Sequence, residues 1–104
     1  MTSSRAETLR GLLEKRPGDT RLLFGLAVEE LNAGDLESGV RTLQRYLSVA
    51  DDEGNGWARL AEALLQLERQ EEAGVAYRAG IESAHRHGHP SLAAELEEAL
   101  AGLG

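Results

Sequence analysis

Residues 56–64 read Gly56-Trp57-Ala58-Arg59-Leu60-Ala61-Glu62-Ala63-Leu64, and their spacing decides the fold. An aromatic residue, then Leu, Ala and a further Leu put Trp57, Leu60, Ala61 and Leu64 on one helical face. A second helical pattern follows in Ala73, Tyr77, Gly80 and Ile81. Arg69-Gln70 lies between the two, where an αα-hairpin turns. The same skeleton stands earlier in the chain at one constant offset. Leu23, Leu26 and Ala27 fall under Trp57, Leu60 and Ala61, while Gly39, Leu43 and Leu47 fall under Ala73, Tyr77 and Ile81. The spacing predicts two helix-turn-helix repeats, residues 20–53 and 54–87, covering 68 of the 104 residues.

Outward from the repeats, the chain supplies a flanking helix on each side. Ser4-Arg5-Ala6-Glu7 has the form of a capping box and opens a helix within residues 3–16. Ala6, Leu9 and Leu13 form its apolar stripe with Leu12 beside it, and Pro17-Gly18 ends it. In repeat register this is a second helix, with Leu9 under Leu43 and Tyr77, and its narrow stripe fits an end cap. Asp19 is the expected N-cap of a helix over residues 20–32. That helix carries Leu23, Leu26 and Ala27 toward the core and a second apolar set, Phe24, Val28 and Leu31, on the far side. A helix apolar on so many sides is expected to be covered on most of them. Ala33-Gly34-Asp35 stops it and caps the next, residues 36–50, with Leu36, Val40, Leu43 and Leu47 inward and Arg41 and Arg45 outward. Asp51-Asp52-Glu53-Gly54-Asn55-Gly56 is the clear loop signal in the middle of the chain. A last helix starts at Pro90 and runs through residues 90–103 with Leu92, Leu96, Leu100 and Leu103 as its stripe. The expectation is one all-α domain over residues 1–104, of six helices antiparallel in chain order.

Composition agrees with an all-helical chain and excludes several functions. Hydrophobic residues make up 41% and aromatics only 4%, so Leu and Ala, both strong helix formers, fill the core. The formal net charge is -7, from 18 acids against 11 bases, which argues against nucleic acid and anionic membrane surfaces as partners. There is no cysteine, hence no disulfide staple and no thiol chemistry. Met1-Thr2-Ser3-Ser4-Arg5 lacks the apolar core of a signal peptide, and no apolar run approaches the ~18 residues of a membrane span. A cytoplasmic location is expected.

A 34-residue period with this spacing resembles the tetratricopeptide repeat (TPR) family. The small residues Ala27, Ala61, Gly39 and Ala73 stand where that family packs its helices at closest approach, and Pro17 where it carries a late proline. Departures are Leu23 in place of an aromatic, Glu30 in place of Leu or Tyr, and the missing prolines at Asp51 and His85. The resemblance implies a right-handed superhelix of antiparallel helix pairs whose first helices line a concave groove for peptides or partner helices. It assigns to that groove Arg21, Phe24, Val28, Leu31 and Asn32, then Asn55, Ala58, Arg59, Glu62, Leu65 and Gln66. Some members grip a C-terminal carboxylate at groove positions that here hold Phe24, Val28 and Ala58, so that clamp is not expected. The implied function is a scaffold for an unidentified protein or peptide. The alternative is an assembly element that forms a homodimer or larger self-assembly through the same apolar surface or the end caps.

His85-Arg86-His87-Gly88-His89 is the one metal-like cluster. His85 and His87 are two residues apart and point to nearly opposite sides of a helix, so a helix C-terminus reads better than a metal site. No Gly-rich phosphate loop or nucleophile elbow is present, and Glu29/Glu30, Glu71/Glu72 and Glu97/Glu98 are adjacent, so they diverge on a helix and read as solvated faces. Neither an enzyme nor a cofactor is expected.

Overall fold

The computed structural model describes residues 4–103. Among them it contains six α-helices and no strand: α1 (Arg5–Lys15), α2 (Thr20–Asn32), α3 (Leu36–Val49), α4 (Asn55–Gln66), α5 (Gln70–Arg86) and α6 (Pro90–Ala101). Residue 3, assigned to the first helix by its sequence, lies outside the described residues, as do residues 1, 2 and 104. The chain divides into two compact units between Ala50 and Asp51, within the acidic loop.

In the first unit, local side chains start each helix where the sequence places them. Ser4 and Glu7 form the reciprocal capping box of α1, at 3.1 and 3.2 Å. Asp19 accepts from the Leu22 backbone N–H at 3.1 Å to cap α2, and Asp35 accepts from that of Ser38 at 3.3 Å to cap α3. Each such cap satisfies an N–H that the helix itself leaves without a partner, a contribution of about 1 kcal/mol. Leu9 and Leu13 of α1 pack with Leu23 and Leu26 of α2, and Ala6, Leu22 and Tyr46 close over them. α2 in turn packs on α3. Gly39 is required at that contact, because a Cβ there would run into the Leu31 side chain and lie 3.5 Å from its backbone nitrogen.

The second unit packs α4 on α5 and α5 on α6. Its acidic loop caps α4 in an unusual way. Gly54 occupies the N-cap and has no side chain, so Asp52, two residues earlier, accepts from the N–H groups of Gly54 and Gly56, both at 2.9 Å. Gly54 sits at φ +126°, and a Cβ on it would come within 2.8 Å of Leu92. Gly80 lets α4 and α6 approach α5 together: an added Cβ would be 2.9 Å from the Trp57 Cβ and 3.0 Å from Leu96. The α4–α5 turn spans residues 67–69, with Glu68 in the left-handed region at φ +62°. α6 ends at Ala101, so Leu103 of the expected 90–103 stripe lies in the turn after it; on the helix burial centres on Ala93 and Leu96, while Leu92 and Leu100 are half-buried, so the inner face is rotated toward Ala93 relative to the leucine stripe.

Five of the six aligned positions one repeat apart share one environment, and the sixth does not, since Leu23 is buried and Trp57 half-buried. Ala27 and Ala61 are both 0% exposed, Leu26 and Leu60 are buried, Gly39 and Ala73 are buried, and so are Leu43 and Tyr77. Leu47 and Ile81 are both half-buried. Ala61 therefore has no room for a larger side chain. Ala61→Leu is expected to cost about 1–3 kcal/mol through overpacking. Glu72→Leu on the exposed side of α5, where a surface pair with Arg69 is lost, should leave the unfolding midpoint nearly unchanged. Urea unfolding of the two variants checks the contrast, and equal losses would contradict it.

Candidate functional site

The candidate residues of α2 fall on one side of that helix, at spacings of three, four, three and one. Arg21 and Asn32 are exposed at its two ends, and Phe24 and Val28 are half-buried between them. Phe24 meets the Tyr46 ring of α3 at a centroid distance of 5.1 Å and an interplanar angle of 57°, a tilted aromatic contact. Leu31 is turned to a different purpose, since its side chain lies over Gly39 and forms part of the α2–α3 contact. The apolar set expected on the far side is thus partly helix-packing surface. What it leaves is the half-buried Val28 and Phe24 between exposed polar ends.

The candidate residues of α4 belong to the second unit. Asn55, Arg59, Glu62 and Gln66 are exposed, and Ala58 and Leu65 are half-buried beside them. Burial pushes the Tyr77 phenol on α5 up, and the Glu62 carboxylate adds to the shift. The α4 set is more polar than the α2 set, with a cation and an anion one helical turn apart at Arg59 and Glu62.

Two acids are buried, and sequence reasoning missed the role of one of them, Glu30. Glu30, which its sequence neighbours place on a solvated face, is 5% exposed. It accepts from the Thr42 hydroxyl at 2.6 Å and from Arg10 at 3.1 Å, which links α1, α2 and α3. A signal was present: Glu30 follows Leu23 by seven residues and Ala27 by three, so it lies on the core stripe of α2. Asp52 is the other buried acid, committed to the cap of α4.

The three histidines face three different carboxylates. His85 Nε2 is 3.6 Å from Glu97, His87 Nε2 is 3.1 Å from Asp51, and His89 Nε2 is 2.6 Å from Glu53. Arg86 also reaches Asp51, at 3.2 Å. These pairs tie the loop before α4 and the surface of α6 to the end of α5. No group of three or more His, Asp or Glu side chains among the described residues is placed to hold a metal ion. No helix among them is long and apolar enough to cross a membrane. Compared with known protein families and with curated proteins, the sequence matches none.

The polar contacts carry two expectations. Glu30→Ala leaves a cavity and an unsatisfied buried Thr42 hydroxyl, and is expected to cost about 1–3 kcal/mol. Glu30→Leu together with Thr42→Val replaces the polar set by apolar volume and should fall within about 1 kcal/mol of wild type. Urea unfolding separates the two, and a double variant as damaged as Glu30→Ala would contradict the account. Asp51 gives the pH dependence. Hydrogen bonding from His87 and then Arg86 holds its carboxyl below the usual range. A carboxyl whose folded-state pKa is depressed stabilises the fold above its unfolded value and loses that effect as pH falls through the folded value. The stability gap between wild type and Asp51→Asn should be full above about pH 4 and close below it. A gap that widens on acidification would reverse the assignment.

Proposed function

We propose that the chain is a small helical-repeat scaffold of the tetratricopeptide type, which binds a peptide or helix of a partner protein and performs no chemistry on it. The observation that carries this reading is the shared burial of positions one repeat apart, with small residues at the same places in both helix pairs. In such an array the pairs stack as a right-handed superhelix, and the first helix of each pair, α2 and α4, faces the groove. The contact surface would then be Arg21, Phe24, Val28 and Asn32 with Asn55, Ala58, Arg59, Glu62, Leu65 and Gln66. Leu31 contributes by holding α3 against α2.

The chemistry of these residues describes the ligand. On α2, the half-buried Val28 and Phe24 offer a small apolar seat with Arg21 at its border. On α4, Arg59 supplies a cation and Glu62 an anion. A short segment with one apolar anchor and an acidic neighbour fits these faces, and a nucleic-acid backbone does not, given the net charge of -7.

A peptide library selected on the immobilised full chain, followed by amide chemical-shift mapping of the selected peptide, tests the reading. Shifts are expected on α2 and α4, and Val28→Glu should weaken binding at least about tenfold, equivalent to about 1.4 kcal/mol, with the fold intact by circular dichroism. Shifts confined to α3, α5 or α6, or binding unaffected by Val28→Glu, would overturn it.

A further inference from the structure

Asn55-Gly56 is the one Asn-Gly step in the chain, and it lies where α4 leaves the acidic loop. Glycine after asparagine favours closure of the backbone on the asparagine side chain, because the glycine has no Cβ to crowd its own nitrogen and turns freely. The Asn55 side chain is exposed to water, while Gly56 is buried.

The fold restrains this step through one carboxylate. Gly54 at the N-cap offers no side chain, and the Gly56 N–H donates instead to Asp52 Oδ2 at 2.9 Å, as does the Gly54 N–H. That bond keeps the Gly56 proton against a negative oxygen, which disfavours the amide anion that would attack the Asn55 side chain. It also holds residue 55 in the first turn of α4, whereas a planar five-membered ring would twist the Asn55 ψ away from its helical value. The segment that presents Asp52 is anchored on both sides. Asp51 meets Arg86 at 3.2 Å and His87 at 3.1 Å, and Glu53 meets His89 at 2.6 Å. All of these contacts lie within the second unit.

We propose that Asn55-Gly56 is a site of spontaneous backbone modification, held shut by Asp52 and exposed whenever the start of α4 opens. In the open form the Gly56 nitrogen loses its proton to solvent hydroxide and attacks the Asn55 Cγ. A bond forms between that nitrogen and Cγ, the bond from Cγ to Nδ2 breaks, and Nδ2 takes protons from water and leaves as ammonia. Solvent water then opens the ring at one of its two carbonyls, and no oxidation state changes. Opening at Cγ leaves an aspartate at position 55, and opening at the main-chain carbonyl leaves isoaspartate. Isoaspartate routes the main chain through Cβ and Cγ, one carbon longer, so the Gly56 N–H no longer meets Asp52 and α4 cannot recover its first turn. This inference stands on backbone chemistry and holds whether or not α4 faces a partner.

Peptide mass spectrometry of the full chain during incubation in mildly alkaline buffer tests it, with fragmentation that distinguishes isoaspartate from aspartate. Asn32, the chain's other asparagine, is followed by alanine and serves as the internal standard. Conversion at Asn55 is expected to be at least about tenfold slower in the folded wild type than in urea, because hydrogen bonds to a charged group must break first. Asp52→Ala, folded by circular dichroism, should convert at least about threefold faster than folded wild type at Asn55 and no faster at Asn32. Asp52→Asn keeps the side chain's shape without its charge and takes the place of Asp52→Ala should that variant lose its circular dichroism, with the same ordering expected. Folded wild type that converts as fast as in urea, a folded Asp52 variant no faster than wild type, or equal acceleration at Asn32 would each overturn the proposal.

Discussion

Two helices approach only as closely as the side chains between them permit, and the structure depends on keeping those side chains small at a few places. Gly39 admits Leu31, Gly80 admits both Trp57 and Leu96, and Ala27 and Ala61 have no exposed surface at all. With so few aromatic residues the chain cannot fill wide gaps between helices, so it draws the helices together instead. In the first unit the leucines of neighbouring helices then reach one another, Leu9 and Leu13 packing with Leu23 and Leu26. Larger side chains at the same positions would separate the helices and strand the leucine stripes in water.

Much of this is legible in the sequence, and the parts that are not share a physical reason. Helix starts at Ser4, Asp19 and Asp35 are readable because a cap is a local interaction over three residues. The alternation of apolar and polar positions reveals the helices and the equivalence of Leu26 with Leu60 and Ala27 with Ala61. Glu30 escapes such a reading because its partners, Arg10 and Thr42, are 20 residues before it and 12 after. In sequence the histidines look like a loose helix end, whereas His87 and His89 meet acids 36 residues away in the loop before α4. Leu31 shows the same limit from the apolar side: periodicity assigns it a direction on α2, but only Gly39 on the next helix explains where it rests. On α2 the sequence gives each residue a direction on the helix, but not how much of Phe24 and Leu31 the neighbouring helix consumes.

The buried acids show how polar groups fit an interior built from leucine and alanine. A buried carboxylate is costly unless hydrogen bonds replace the water it loses. Glu30 receives a hydroxyl and a guanidinium, and Asp52 receives two backbone N–H groups. Each acid therefore fixes a join rather than adding to hydrophobic stability: Glu30 links three helices, and Asp52 sets the direction in which α4 leaves the loop. Neither draws on Val28 or Ala58, which stay half-buried on the outer sides of α2 and α4.

Equivalence of the two helix pairs is the claim on which the functional reading stands, and disulfide trapping tests it directly in a chain that has no cysteine of its own. The added Cβ at Gly39 lies 3.5 Å from the Leu31 backbone nitrogen, so cysteines at positions 31 and 39 are close enough to bridge. Positions 65 and 73 stand one repeat later in the sequence. Under mild oxidation of the folded chain, Leu31→Cys with Gly39→Cys and Leu65→Cys with Ala73→Cys are both expected to form an internal disulfide, while the displaced pair Gln66→Cys with Ala73→Cys stays reduced. A second pair that stays reduced while the first closes, or that closes only in the displaced register, would contradict the repeat.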